Sequence, residues 1–231
     1  MKNKKRIGIL GGISYESTIK YYSIIHTEYY RKFNNYDYPE IVIFSLNFGK
    51  VIDLEYSNDR EAYINYLLEG INSLESAGVD VILMAANSVH SIYKELNELS
   101  KIPILSIVKT TAEEAMKLNL KKLLLLGIKL TMNSEFYMDY FNKLNIDIIT
   151  PNRKERDQIE EIIFQELVKG EFKIESKKQL LRIIGDYNID GVILGCTELP
   201  LIIHQEDLDV QVLNTLKLHA LAGLNYAIGE I

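Results

Sequence analysis

The chain has 231 residues, a hydrophobic content of 47% and a formal net charge of −6. That length fits one large domain or two small ones, and the apolar fraction is ample for a core, which excludes a disordered chain. The acidic balance, without a basic stripe, argues against a nucleic-acid surface, and no apolar stretch approaches the ~20 residues that span a bilayer. One cysteine, Cys196, excludes an internal disulfide framework and a multi-cysteine zinc site. The basic start, Met1 to Arg6, lacks the apolar stretch and cleavage site of a signal peptide. A reducing cytoplasm is the expected setting.

Strand and helix patterns alternate along the chain. Arg6–Leu10 is a short apolar run closed by Gly11-Gly12. From about Ser17 to Phe33 the spacing is helical, with Ile19, Tyr22, Ile25, His26, Tyr29 and Tyr30 on one face. Ile41–Ser45 reads as strand. Asp59 to Ser76 reads as helix, with Tyr63, Leu67, Ile71 and Leu74 aligned and Gly78 as the stop. Asp80–Met84 is a strand, Ser88 to Leu99 a helix and Pro103–Ile107 a strand. Thr111 to Leu118 is a helix, Lys122–Leu126 a strand, Met132 to Leu144 a helix and Ile146–Ile149 a strand. Helices follow over Glu155–Val168 and Lys177–Tyr187, then a strand at Gly191–Leu194 and a last helix from Asn214 to Ile228.

Short strands between longer helices predict α/β architecture with parallel sheets and crossover helices. Val81-Ile82-Leu83-Met84 does not alternate, as befits a strand buried on both faces. The two halves of the chain repeat the pattern. The reading is therefore two similar α/β domains, 1–108 with 207–231 and 109–206, with a cleft between them.

The residues that carry chemistry come directly after strands. Gly11-Gly12-Ile13-Ser14 stands at a strand-to-helix turn, where glycines admit a ligand to the backbone or simply make a tight turn. It is neither a dinucleotide fingerprint nor a P-loop. Cys196-Thr197-Glu198 lies at a strand C-terminus, where open α/β sheets bind ligands. A thiol near helix N–H groups there can be activated, or it can be a small buried hydrophobe. Asn87-Ser88 and His90 come after the matching strand and can hold a carboxylate or cap a helix. Thr131 can donate to a substrate or cap a helix, and Asn214-Thr215 with His219 carries the same ambiguity. The four histidines, 26, 90, 204 and 219, show no metal-ligand spacing.

Together these residues resemble the pyridoxal-independent aspartate/glutamate racemase family, in particular its broad amino-acid racemase branch. The resemblance runs through Gly11 to Thr18 with Tyr21-Tyr22, then Asn87-Ser88-Val89-His90, Gly127 with Thr131-Met132 and Phe136-Tyr137. It continues through Ile162-Ile163-Phe164 with Glu166-Leu167, Gly195-Cys196-Thr197-Glu198, Thr215 and His219-Ala220. It implies two α/β domains related by a pseudo-twofold axis, a site in the cleft between them, and a homodimer. It further implies an amino-acid substrate, aspartate or glutamate, and no cofactor, metal, nucleic acid or membrane partner.

Such a racemase uses two thiols on opposite faces of the substrate Cα. Cys196 matches the second. Ser14, Asn87, Ser88, Thr131, Thr197 and Glu198 match substrate-binding positions, and Lys50, Lys129 and Lys169 are candidates for a side-chain carboxylate. The first catalytic position is Ala86, which has neither donor nor base, and the usual late aspartate is Asn214. The resemblance therefore implies a racemase whose activity is reduced, one-sided or abolished unless Ser14, Ser88 or a water substitutes. The alternatives are a single-cysteine decarboxylase of the malonate type and a catalytically silent amino-acid-binding protein.

Overall fold

The computed structural model describes residues 4–57 and 59–231; Met1–Asn3, the beginning of the basic start, and Asn58 lie outside the described residues. The chain divides into two α/β units, each built on a four-stranded parallel sheet. The first runs to Ser106 and is completed by His219–Ile231, and the second is Ile107–Leu218.

The first unit contains β1 (Ile7–Gly11), α1 (Tyr15–Phe33), β2 (Ile41–Ser45), α2 (Phe48–Glu55), α3 (Arg60–Ser76) and β3 (Val81–Met84). A 3-10 turn (Ser88–Ile92), α4 (Tyr93–Leu99) and β4 (Ile104–Leu105) complete its N-terminal part. The second contains α5 (Ile107–Lys117), β5 (Lys122–Leu126), α6 (Lys129–Asn133), α7 (Glu135–Asn142), β6 (Asp147–Ile149) and α8 (Arg153–Gln165). After α9 (Ile174–Gly185) come β7 (Gly191–Leu194), β8 (Gln211–Asn214) and α10 (Thr215–Ile228), the last shared by the two units.

The sheets have orders β2-β1-β3-β4 and β6-β5-β7-β8, so β3 and β7 hold the same place in each. Leu10 pairs with Met84 and Leu126 with Leu194 at the ends of the central pairs. Every residue of β3 and of β7 is buried, which is why neither alternates in polarity. An aspartate pins the start of each: Asp80 accepts from the Arg6 amide at 2.6 Å, and Asp190 from those of Lys121 and Lys122 at 2.8 Å. The helix after each outer strand begins alike. Asn47 caps α2 and Asn152 caps α8, and a tyrosine hydroxyl (Tyr66, Tyr187) accepts from each cap amide at 3.0 Å. The charged run Arg153–Asp157 is thereby a capped helix start, with Glu155 closing a capping box.

Five expectations change. The chain returns to the first unit at His219, later than the expected 207, because Gln211–Asn214 pairs with β7 as the edge strand of the second sheet. The inward face of α1 is Tyr21, Ile25 and Tyr29, at 0%, 0% and 2% exposure, whereas Ile19 and Tyr22 are 55% and 47% exposed. The helix has two adjacent apolar stripes, and periodicity does not choose between them. Tyr21 is drawn in because its hydroxyl bonds His219 Nδ1 at 2.9 Å. The segment 88–99 is a 3-10 turn followed by α4, and Met132–Leu144 is two short helices broken at Ser134. The α2 helix was not expected at all. It is followed by α3, whose Tyr63, Leu67, Ile71 and Leu74 are buried as their spacing predicts.

Candidate active site

Two strand ends gather the residues singled out in the sequence. In the second unit, Gly195 donates its amide to the Leu126 carbonyl at 2.7 Å. A Cβ at Gly195 would stand 2.7 Å from the Leu126 carbonyl oxygen, so only glycine lets β7 close onto β5 here. The chain then turns outward and presents Cys196, half-buried, beside the buried Thr197 and Glu198. The Cys196 thiol donates to Glu198 Oε2 at 2.9 Å, and the Thr197 hydroxyl donates to the same oxygen at 3.2 Å. The chain continues into a 3-10 turn, Leu199–Leu201, rather than a long helix. The group prepared for the thiol proton is thus a carboxylate, not the expected set of helix N–H groups.

Thr131 packs beside Gly195, its methyl 3.5 Å from where a Cβ on Gly195 would be. It sits within α6, whose N-cap is Ile128, so it does not cap the helix. Among the described residues its Oγ1 is the one buried side-chain oxygen or nitrogen without a hydrogen-bond partner. Buried polar atoms are nearly always paired, so this hydroxyl, on a residue packed beside Gly195, is a candidate for a ligand group.

In the first unit, β3 ends at Met84 and leads through Ala85 to Ala86, both buried. Ala86 therefore stands two residues beyond β3 as Cys196 stands two beyond β7. His90 Nδ1 lies 2.9 Å from the Ala86 carbonyl, and a carbonyl only accepts, so this nitrogen carries the hydrogen. Asn87 and Ser88 are buried, and neither the Asn87 nor the Ser14 side chain makes a cap hydrogen bond. The Ser88 hydroxyl bonds the carboxyl of Glu55, which also accepts from Tyr63 Oη at 2.7 Å. Burial raises the Glu55 pKa above its ordinary value, against the opposing pull of the two hydroxyls. Sequence reasoning missed Glu55 and Tyr63. Neither spacing nor residue type connects position 55 to position 88, and only the α2–α3 packing does so.

Gly11 and Gly12 are explained by packing: a Cβ on Gly12 (φ +84°) would meet the Leu46 carbonyl oxygen at 2.5 Å, and one on Gly11 would meet Thr18 at 2.5 Å. Ser14 is buried in the same turn, and its carbonyl accepts from the Thr18 hydroxyl at 2.9 Å. His90 and His219 are buried against each other, ring centroids 5.8 Å apart. His219 Nε2 donates to the Leu105 carbonyl at 3.0 Å, leaving Nδ1 to accept from Tyr21. Burial lowers both from 6.5, His90 to about 4 and His219 to about 3, so both are neutral structural groups. Asn214 caps α10 through the Lys217 amide, and Thr215 donates to the Leu194 carbonyl at 2.7 Å.

Of the lysine candidates, Lys129 is held by Asp157 and Glu160 at 2.8 and 2.9 Å. Lys50 lies 3.8 Å over the Tyr66 ring, and Lys169 donates to Gln165 at 3.0 Å. Among the described residues no group of three or more His, Cys, Asp or Glu is arranged to hold a metal, and no helix is long and apolar enough to cross a membrane.

These observations define a duplicated parallel α/β protein with a thiol set against a buried carboxylate at one strand end. The chain belongs to the Asp/Glu/hydantoin racemase family, whose model matches residues 10–223. It is 32% identical over 152 residues to a glutamate racemase of Hydrogenobaculum sp. (strain Y04AAS1), covering 64% of this chain and 57% of that protein. It is 30% identical over 135 residues to the broad specificity amino-acid racemase RacX of Bacillus subtilis (strain 168), covering 57% of this chain and 58% of RacX. The chain thus matches less than two thirds of either relative's length. An aspartate racemase homologue from Pyrococcus horikoshii OT3 superposes with a TM-score of 0.84 at 36% identity, over 97% of this chain and 99% of that one. Picrophilus torridus aspartate racemase shares the fold, with a TM-score of 0.79 at 23% identity over 96% and 94% of the two chains. These racemase relatives are isomerases.

Proposed function

We propose that the chain is a cofactor-independent amino-acid racemase acting on aspartate or glutamate by removal and return of the Cα proton. The observation that carries this reading is the Cys196 thiol hydrogen-bonded to Glu198 at the end of β7, with the unpartnered Thr131 hydroxyl close by. Glu198 takes the thiol proton, and the thiolate takes the Cα proton. Glu198 is thereby the partner of the thiol rather than a contact for substrate, the Thr197 hydroxyl holds the Glu198 carboxylate, and the Thr131 hydroxyl is the donor for the substrate carboxylate; Asn87 and Ser14 are the candidate contacts from the first unit. Lys50 and Lys169 remain the candidates for a side-chain carboxylate, since Lys129 is neutralised by two acids.

Ala86 makes the Cys196 face the dependable one. The test is Cα-proton exchange in D2O, followed by NMR, with each enantiomer of aspartate and glutamate. Cys196-dependent exchange of at least one enantiomer is expected. Its absence for all four, together with Cys196-dependent loss of CO2 from an aryl- or alkylmalonate, replaces racemase by decarboxylase. The observation favouring that second reading is the alanine at the position equivalent to Cys196. Binding with neither reaction leaves an amino-acid-binding protein.

The chain is further proposed to act as a homodimer. Support comes from the outward stripe of α1, where Tyr15, Ile19 and Tyr22 are 57%, 55% and 47% exposed at helical spacing. Light scattering should give a dimer mass, and Ile19→Lys with Tyr22→Glu should give a monomer.

A further inference from the structure

We propose that Glu160, together with Arg156, holds α6 in the posture that keeps the Thr131 hydroxyl ready for the substrate carboxylate, so that both are positioning residues for binding. The inference rests on the racemase reading, and within it on Thr131 as the donor. It starts from what α6 lacks. Five residues, Lys129–Asn133, are too few to stay helical by themselves. The N-cap is Ile128, whose side chain has no atom that can accept from a first-turn amide.

Helix α8 supplies what is missing. Glu160 Oε1 accepts from the Lys129 backbone amide at 3.0 Å, as a capping side chain would, and Glu160 Oε2 lies 2.9 Å from Lys129 Nζ. At the other end of α6, Arg156 donates to the side-chain oxygen of Asn133. Positions 156 and 160 are four apart and share a face of α8. Thr131 is the middle residue of the five, two from each tie. Glycines leave it room: its Cβ stands 3.2 Å from where a Cβ on Gly127 would be, and its methyl 3.5 Å from that of Gly195. One helix therefore holds both ends of the segment whose centre carries the unpartnered hydroxyl.

Not every tie carries equal weight. Asp157 also lies 2.8 Å from Lys129 Nζ, but its side chain is 52% exposed, and water screens such a pair. The Glu160 side chain is 17% exposed, and its bond to the Lys129 amide is charge-assisted. Glu160 is therefore the main tie and Arg156 the second. Without them the substrate has to order α6 as it binds, and that cost is subtracted from affinity. Glu160 and Arg156 act through α6, so their loss should weaken binding and leave proton transfer at Cys196 alone.

The experiment measures affinity by calorimetry and the saturated rate of Cα exchange in D2O, with L- and D-aspartate and L- and D-glutamate. Glu160→Ala should weaken affinity about tenfold, the worth of the one hydrogen bond that Thr131 makes, and keep saturated exchange within about twofold. Glu160→Gln keeps an oxygen for the Lys129 amide and should bring affinity back to within about threefold of the wild type. Arg156→Ala should weaken affinity about threefold, and it carries the test if Glu160→Ala does not fold. In a Thr131→Val background neither substitution should weaken binding further, a coupling that a merely structural loss of stability does not produce. Losses that add to that of Thr131→Val, or full affinity in both Glu160→Ala and Arg156→Ala, overturn the positioning and leave the racemase reading standing. Unchanged affinity in Thr131→Val overturns the positioning together with the donor role of Thr131. Neither binding nor exchange of any of the four amino acids overturns the racemase reading as well.

Discussion

The ends of β3 and β7 occupy equivalent places in two sheets of the same order, and they have been built to different purposes. Beyond β7 the chain offers a thiol, a buried carboxylate 2.9 Å from it and, close by, an orphaned threonine hydroxyl. Beyond β3 it offers a methyl group, and Ser88, two residues on, bonds the carboxyl of Glu55 from α2. The β7 end carries its chemistry on three consecutive residues. The β3 end borrows from α2 and α3, so its chemistry depends on tertiary packing. A duplicated fold can thus keep its backbone symmetric while the side-chain chemistry of its two strand ends differs.

The largest way to break this comparison is at its stronger side. Cys196→Ala should lower Cα exchange of the enantiomer it serves by about 10³, within the range of a lost general base. The check is NMR exchange in D2O, and an unchanged rate would remove the thiol from the chemistry. The next largest effect runs the other way. Ala86→Cys restores symmetry between the strand ends and should raise interconversion of the two enantiomers by about 10², measured by polarimetry or chiral chromatography. The site is 5% exposed, so the added sulfur should cost about 1–3 kcal/mol in denaturant unfolding through overpacking.

Thr131→Val sharpens the comparison by removing only the orphaned hydroxyl. The unliganded protein should gain about 1 kcal/mol, since an unsatisfied buried polar atom is lost. Substrate affinity should fall about tenfold, equivalent to one hydrogen bond. Paired thermal melts and calorimetry read both signs, and a plain destabilisation would assign Thr131 to packing.

A further effect, on stability and not on exchange, lies in the first unit, which holds the two buried histidines. Their folded pKa values, about 4 for His90 and about 3 for His219, lie below the ordinary 6.5. Between pH 6.5 and about 4 the unfolded chain therefore binds protons that the folded chain refuses, and stability falls as pH is lowered. Above pH 6.5 both states are neutral and this contribution is flat. Urea midpoints against pH should show the slope, and His90→Asn should reduce it.

Much of the fold was legible because buried parallel strands read as unbroken apolar runs: Val81–Met84 and Gly191–Leu194 lie where those runs predicted them. Gln211–Asn214 was not legible. An edge strand with the burial pattern of this one mixes polar and apolar residues, and its partner β7 supplies the order that its own sequence lacks. Cys196 and the Ala86 position could be singled out because each stands two residues beyond an apolar run that is a strand, and Thr131 because it follows the Lys122–Leu126 strand. The Glu198 role was visible only as a neighbour in sequence, and its thiol contact needed the turn. Glu55 was hidden because α2 is short and ends in a carboxylate that reads as surface. The α1 face was misjudged for a related reason: two apolar stripes compete there, and Tyr21 goes inward because His219 waits nearly two hundred residues away in sequence.

That distant partner belongs to α10, the helix that begins in one unit and ends in the other. Its Gly223 leaves room for Leu83 of β3, where a Cβ would stand 2.5 Å from Leu83 Cδ1, and its Ala227 carbonyl accepts from the Lys5 amide at 3.0 Å. On a ribosome the first unit's sheet emerges before the second unit, but the helix that covers Leu83 and satisfies Tyr21 emerges after it. The unit made first is therefore the one finished second.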